Sequence, residues 1–234
     1  MKDSYTKSLE EEIRILRSQM AFDSNTGLYN LRNNQGKMIL ESRLDFTARF
    51  SNPPEVTFLF MDFDGLHPAN KLYGSENADV LLLKFADALR NSSRSSDFVF
   101  REGSSGDEYG IVFFDYSVNN IEKKLHEIDK NFIKYLEELE DKPEFSSATE
   151  KPKDIVSFSA GALKISVFEK KDNSERKYFE YEPIFGETGV RERAENMCNE
   201  CKKAGRNRFM SDTTPEPTII RKDFTPPERT QFDN

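Results

Sequence analysis

The chain has no tryptophan, two cysteines and two histidines among its 234 residues. Two thiols cannot staple a disulfide scaffold, so the fold must rest on a packed core. A structural zinc built on Cys198-Asn-Glu-Cys201 would need two more ligands, with only His67 and His126 to supply them. Both cysteines therefore read as small buried apolar side chains. No stretch reaches the roughly 18 apolar residues of a membrane span, and the first twenty residues carry charge throughout instead of an apolar leader. Positive charge is also short. Lys and Arg number 34 against 42 Asp and Glu, a net charge of −8, which disfavours indiscriminate binding to a nucleic acid polymer or an anionic membrane. These absences describe a reduced, soluble, cytoplasmic protein. A phosphate substrate bridged by a metal stays compatible with them, because the cation brings its own charge.

What is present is enough for one core. The length suits a single domain. The hydrophobic share of 36% falls below the usual globular level, so part of the chain is expected to stay unpacked. Twenty Phe and eight Tyr nonetheless provide large side chains to bury.

Along the chain, Leu9, Ile13, Leu16 and Met20 form a narrow helical stripe in the lead-in segment 1–21, which either pairs with a second copy or folds back on its own domain. A turn-rich stretch, Asp23 to Gly27, precedes a helix expected from about Tyr29 to Phe50. Val56 to Met61 is a continuous apolar run, the mark of a strand buried on both faces. Helical spacing resumes from Pro68 to Arg90 with an interruption at Tyr73-Gly74-Ser75. Phe98–Arg101 and Tyr109–Phe114 read as a hairpin with a Gly-rich acidic tip, Ile121–Leu139 as a helix and Ile155–Phe168 as strand. Charged, turn-rich insertions are expected near 140–153 and 169–177. Arg191 to Ala204 reads as a helix closed by Gly205. The tail, 211–234, contains four prolines and little periodicity and is expected to be disordered.

Three constellations carry chemistry. Strand alternation points Asp62 and Asp64 of Asp62-Phe63-Asp64 to one face. Two carboxylates about 6 Å apart repel by roughly 3 kcal/mol at an effective dielectric of 20, so such a pair wants a cation unless water solvates it. Hard oxygens of this kind suit Mg²⁺ shared with substrate phosphates. At Ser105-Gly106-Asp107-Glu108-Tyr109 a glycine lets backbone approach phosphate, and the acids offer a further ligand. Lys202 and Arg206 stand four apart at a helix end, placed to grip phosphate or to satisfy the last carbonyls.

In order and spacing these segments resemble the GGDEF domain of diguanylate cyclases, over roughly Asp23 to Phe209 with the insertions excluded. Asp23-x-x-Thr26-Gly27-Leu28-x-Asn30 is similar to the family's D-x-L-T-G-L-x-N, with Asn25 for Leu. Asp62-Phe-Asp64 followed by Asn70, Gly74 and Asp79 keeps the intervals of D-x-D-x-F-K-x-x-N-D-x-x-G-H-x-x-G-D. Ser105 to Tyr109 stands in the place of the signature hairpin. Phe158-Ser-Ala-Gly161 resembles its S-x-G strand, and Ala194 to Asn207 resembles A-D-x-A-L-Y-x-A-K-x-x-G-R-N.

The resemblance implies an α/β palm-like nucleotidyl cyclase fold over 22–210, with a central, mostly antiparallel sheet flanked by helices. It implies Asp62, Asp107 and the carbonyl of Phe63 as ligands of Mg²⁺ or Mn²⁺, with Glu108 beside them as catalytic acid or base. Asn70 and Asp79 would read guanine. Nine residues apart, they share a target only if the helix breaks at Gly74. Lys202, Arg206 and His67 would meet the triphosphate. Two GTP, one on each protomer of a homodimer, would condense to cyclic di-GMP with release of pyrophosphate by two-metal phosphoryl transfer. Arg94-Ser-Ser-Asp97 resembles the family's product-inhibition site. The departures are Ser105 for a glycine, His67 for a phosphate-contacting lysine, Ser75 and Ala78 for His and Gly, and Leu31 for Arg. The alternatives are a catalytically weak sensor of GTP or cyclic di-GMP, a palm cyclase with another product, and a purely structural domain.

Overall fold

The computed structural model describes residues 21–102 and 106–226. The lead-in helix expected before residue 21 and Ser105 of the hairpin tip lie outside the described residues. In chain order the elements are β1 (Tyr29–Asn30), α1 (Asn34–Ala48), β2 (Val56–Asp64), α2 (Leu66–Tyr73), α3 (Ser75–Asn91), β3 (Phe98–Arg101), β4 (Glu108–Phe114), α4 (Ile121–Glu140), α5 (Pro143–Ser146), α6 (Pro152–Ile155), β5 (Ser157–Ile165), β6 (Val167–Lys171), β7 (Lys177–Tyr181), α7 (Val190–Lys203), β8 (Arg208–Ser211) and β9 (Thr214–Ile219).

Seven strands form one sheet in the order β1-β3-β4-β2-β5-β8-β9. Among the described residues only the β1–β3 and β5–β8 pairs are parallel. The expected α/β architecture, a mostly antiparallel sheet flanked by helices, is the one observed. β2 lies at the centre, antiparallel to β4 on one side and β5 on the other, and all nine of its residues are buried. Its side chains alternate between two cores. Leu59, Met61 and Phe63 join the cluster beneath α3 and α4, whereas Val56, Phe58 and Phe60 join the cluster beneath α1 and α7. Asp62 and Asp64 continue the second set and so emerge on the α7 face at the strand's end.

The local punctuation follows the residues. Asn33 caps α1 by accepting from Gly36 N at 3.1 Å, which delays the helix to Asn34 and leaves Tyr29–Asn30 free to pair as β1. Gly74, at φ 81°, breaks α2 from α3 where a β-carbon would be strained. Gly205, at φ 115°, follows the last turn of α7.

The structure gives shape to the two segments expected as insertions and overturns the expectation for the tail. The segment 140–153 holds the short helices α5 and α6, and it buries Phe145 against Tyr73. The stretch near 169–177 spans the end of β6, the turn 172–176 and the start of β7, which form a separate two-stranded ribbon because the backbone leaves the main sheet after Ile165. The tail is not disordered through residue 226. β9 pairs antiparallel with β8, and Ile220 and Phe224 are buried. Pro215 and Pro217 hid this strand by breaking its alternation, yet β9 is a sheet edge, where a missing N–H costs little.

Gly161 on β5 lets α7 seat directly on the sheet: a β-carbon there would lie 2.0 Å from the Ala194 carbonyl oxygen. Gly161→Ala must push α7 outward. Its unfolding midpoint is expected to fall by on the order of 8 °C in a thermal melt, corresponding to about 3 kcal/mol of overpacking. An unchanged midpoint would mean that the helix seat is soft.

Candidate active site

The end of β2, the start of α2, the tip before β4 and the end of α7 enclose a cavity of about 490 Å³. Asp62, Phe63, His67, Asp107, Lys202 and Arg206 all stand in its wall. Six of the residues singled out from the sequence, drawn from four elements far apart in the chain, are thus brought to one place. The hairpin reaches β2 through its backbone, with Phe63 N donating to the Asp107 carbonyl at 2.8 Å.

Electrostatics dominate this wall. Asp62 is 6% exposed, and Lys202 Nζ stands 2.6 Å from its Oδ2. Burial, with repulsion from Asp107 added, pushes the Asp62 carboxyl up from 3.8 to about 7 against the lowering pull of Lys202. Burial would lower Lys202, but its hydrogen bond and attraction to Asp62 win and hold it above the usual lysine range. Asp64 is also raised by burial, although it accepts from Ser159 Oγ at 2.7 Å and Asn207 N at 3.1 Å. Its Oδ1 has no hydrogen-bond partner; Arg206 Nε faces it at 3.4 Å.

These are the properties of a cation site. A desolvated Asp62 carboxylate repelled by the neighbouring Asp107, beside the Phe63 backbone, fits a divalent ion better than it fits a plain strand end. Among the described residues no three His, Cys, Asp or Glu side chains cluster as a complete metal cage. An ion here would take Asp62, Asp107 and the Phe63 carbonyl and complete its shell from outside the protein.

Of the other candidates, Glu108 stands nearest these acids, whereas Arg94 and Asp97 lie at the far end of β4. Glu108 sits directly across the β2–β4 ladder from Asp62, on the α7 face. Burial, then repulsion from Glu102 and Glu195, raises its carboxyl. Asn70 precedes the Gly74 break and donates to Leu66 O at 2.9 Å, while Asp79 follows the break and is exposed. Neither lines the cavity. Asp97 is buried, and its carboxylate accepts from Arg94 N at 2.7 Å and Phe114 N at 3.3 Å, closing the turn that presents the exposed Arg94. Cys198 and Cys201 are buried against β5, each Sγ directed at a β5 carbonyl, and are free thiols.

Sequence reading missed the groups that hold the hairpin. Arg101, 3% exposed, donates to the Gly106 carbonyl at 3.0 and 2.8 Å and stands 3.3 Å from the buried Asp23. Arg191 at the start of α7 grips Glu102 with two bonds, at 2.8 and 2.6 Å, and Glu195 at 2.5 Å. Two guanidiniums from different elements thereby fix the hairpin, one at its tip and one at its base. The only signal was a charged residue closing an otherwise apolar strand.

The diguanylate cyclase, GGDEF domain family matches residues 20–170. The chain belongs to the GGDEF domain family. Among curated proteins, this GGDEF domain is similar to the probable diguanylate cyclase DgcJ of Escherichia coli, with 32% identity over 113 residues, 45% of this chain and 22% of that protein. It is 33% identical over 95 residues to the diguanylate cyclase DgcS of Shewanella oneidensis, covering 40% of this chain and 30% of the relative. The chain spans less than a third of the length of these relatives. Its fold is shared with the solved coiled coil and GGDEF domain of DgcB from Caulobacter crescentus, in complex with c-di-GMP. That match has a TM-score of 0.58 and 17% identity over 90% of this chain and 95% of that one. The DgcB GGDEF domain alone, also with c-di-GMP, gives a TM-score of 0.60 at 16% identity over 82% and 96%.

The raised carboxyl of Asp62 has a measurable signature. Its folded value lies above its unfolded one, so metal-free protein loses stability as pH rises from about 4 to about 7. Asp62→Asn does not titrate. In chelator-treated protein its stability relative to wild type is expected to rise across that interval by on the order of 2–4 kcal/mol and then level off, as read from melts between pH 4 and 8. A difference independent of pH would contradict the burial of this charge.

Proposed function

We propose that this GGDEF domain is a diguanylate cyclase that condenses two GTP into cyclic di-GMP with release of pyrophosphate. The observation that carries the reading is the convergence of Asp62, Asp107, Lys202 and Arg206 on one cavity: a buried and a half-buried carboxylate suited to a divalent metal stand beside cations suited to phosphate. Mg²⁺ or Mn²⁺ held by Asp62, Asp107 and the Phe63 carbonyl would screen the triphosphate and favour attack by a hydroxyl oxygen.

The protein's own groups divide the remaining work. Lys202 exchanges its bond to Asp62 for the incoming phosphates, and Arg206, with His67 alongside, meets the same group. Asn70 and Asp79, separated by the break at Gly74, bind guanine. A carboxylate accepting from guanine N1–H and its amino group would be left unpaired by adenine. Glu108, its proton affinity raised by burial, takes or returns a proton beside the reacting centre.

Each domain holds one GTP, so the 3′-hydroxyl of one nucleotide attacks the α-phosphorus of the other only across a homodimer. The product in turn inhibits by binding Arg94 and the turn shaped by Asp97. By this reading the reaction takes place in the cytoplasm, where its substrate would be met.

Purified protein incubated with Mg²⁺ and each nucleoside triphosphate, with products identified by mass spectrometry, tests this reading. Cyclic di-GMP is expected from GTP alone. Asp107→Ala should abolish it, and Lys202→Ala should raise KM about tenfold or more. An adenine-containing product would instead identify a palm cyclase of other specificity. Binding without turnover that disappears in Arg94→Ala would identify a sensor.

A further inference from the structure

We infer that residues 220–226 are a working part of the nucleotide site, a strap that walls the phosphate end of the cavity and holds Arg206 in its productive position. The inference rests on the cyclase reading above and goes beyond it. The strap lies some fifty residues past the stretch that matches the family, which ends at residue 170.

The strap is locked at its root. Arg221 donates through Nε and Nη2 to Asp129 on α4, with the shortest contact 2.6 Å, and through Nη1 to the Lys153 and Val156 carbonyls at 2.7 and 3.2 Å. Its side chain is 11% exposed and that of Asp129 is 9% exposed, so this charge pair is held out of water. The guanidinium also lies over the Phe224 ring, 5.0 Å from its centroid. Phe224, 8% exposed, and Pro226 then join Asp62, His67, Lys202 and Arg206 in the cavity wall.

A second link runs through Asn207. Ile220 N donates to the Asn207 carbonyl at 2.9 Å, Arg221 N donates to its Oδ1 at 3.1 Å, and its Nδ2 donates to the Arg221 carbonyl at 2.7 Å. Asn207 N donates in turn to Asp64. Arg206 and Asn207 are consecutive non-glycine residues at positive φ, 59° and 50°. Backbone of this kind persists only where its surroundings over-determine it. Here the over-determining contacts are Asp64 on one side and the strap on the other. Arg206 is the residue so oriented, and its guanidinium is the phosphate ligand. Arg221 is therefore a positioning residue, acting on Arg206 through Asn207, and Phe224 is the surface that a bound triphosphate meets.

The absence of tryptophan supplies the test. Phe224→Trp introduces a single tryptophan, excitable apart from the eight tyrosines, into the cavity wall of the full chain. Its emission is expected to shift saturably on adding Mg²⁺ with a guanosine triphosphate analogue carrying a methylene α,β bridge, which binds without reacting. Phe224→Ala should raise KM for GTP about five- to twentyfold while kcat stays within about threefold, although loss of a buried ring lowers the melting temperature by on the order of 10 °C. Arg221→Gln should raise KM similarly and abolish the emission shift when combined with Phe224→Trp, with Arg221→Lys recovering part of both.

A tryptophan unmoved by an analogue that the wild-type chain binds would overturn the strap proposal. So would an unchanged KM in Phe224→Ala, or a parallel loss of kcat, KM and melting temperature that marks a merely structural segment. If wild type neither binds nor converts GTP, the cyclase reading fails first, and the strap's role falls with it for that separate reason.

Discussion

Two carboxylates kept from water at the end of the central strand are the constraint around which the rest of this domain is organised. Burying a charge costs several kcal/mol unless it is paired and hydrogen-bonded. Asp62 and Asp64 are paired, but incompletely. Lys202 answers Asp62, and Ser159, Asn207 and Arg206 surround Asp64, yet both carboxyls still hold their protons more tightly than free ones do. A fold under selection for stability alone would relieve this strain with apolar side chains. Retaining it makes sense where a cation and a polyanion arrive together to complete the charge balance.

The scaffold spends much of its polar bonding on holding that arrangement still. Arg101 ties the hairpin tip to the turn at Asp23, and Arg191 ties its base to the first turn of α7, the same helix whose last turn carries Lys202. The hairpin and the C-terminal end of α7 are therefore referenced to each other through one rigid element. Burial of Asp23 and Arg101 together raises the strength of their contact by excluding water, as the low effective dielectric of an interior requires.

Much of this was legible in the residues. The apolar run Val56 to Met61 is unambiguous, and its period of two, carried one step further, already puts Asp62 and Asp64 on a common face. Gly74 and Gly205 mark breaks that the backbone makes at those positions. What was not legible depends on partners distant in the chain. Arg191 meets Glu102 across 89 positions, and Arg221 meets Asp129 across 92. No local pattern predicts such a pairing. β9 escaped notice for a different reason: its two prolines erase the periodicity by which strands are recognised, while the edge position that tolerates them is a property of the assembled sheet.

The alternation of β2 between two cores has a consequence for how this protein can change over evolutionary time. Swapping one apolar residue of the strand for another disturbs packing by a side chain's volume, and neighbours can adjust. Adding or deleting a single residue is of another order, since each position downstream rotates to the opposite side. Phe58 and Phe60 would trade places with Leu59 and Met61, and the paired acids would turn away from Lys202 into the aromatic cluster of Phe85 and Phe132. The count of residues in this strand, more than their identity, is what heredity must copy without error.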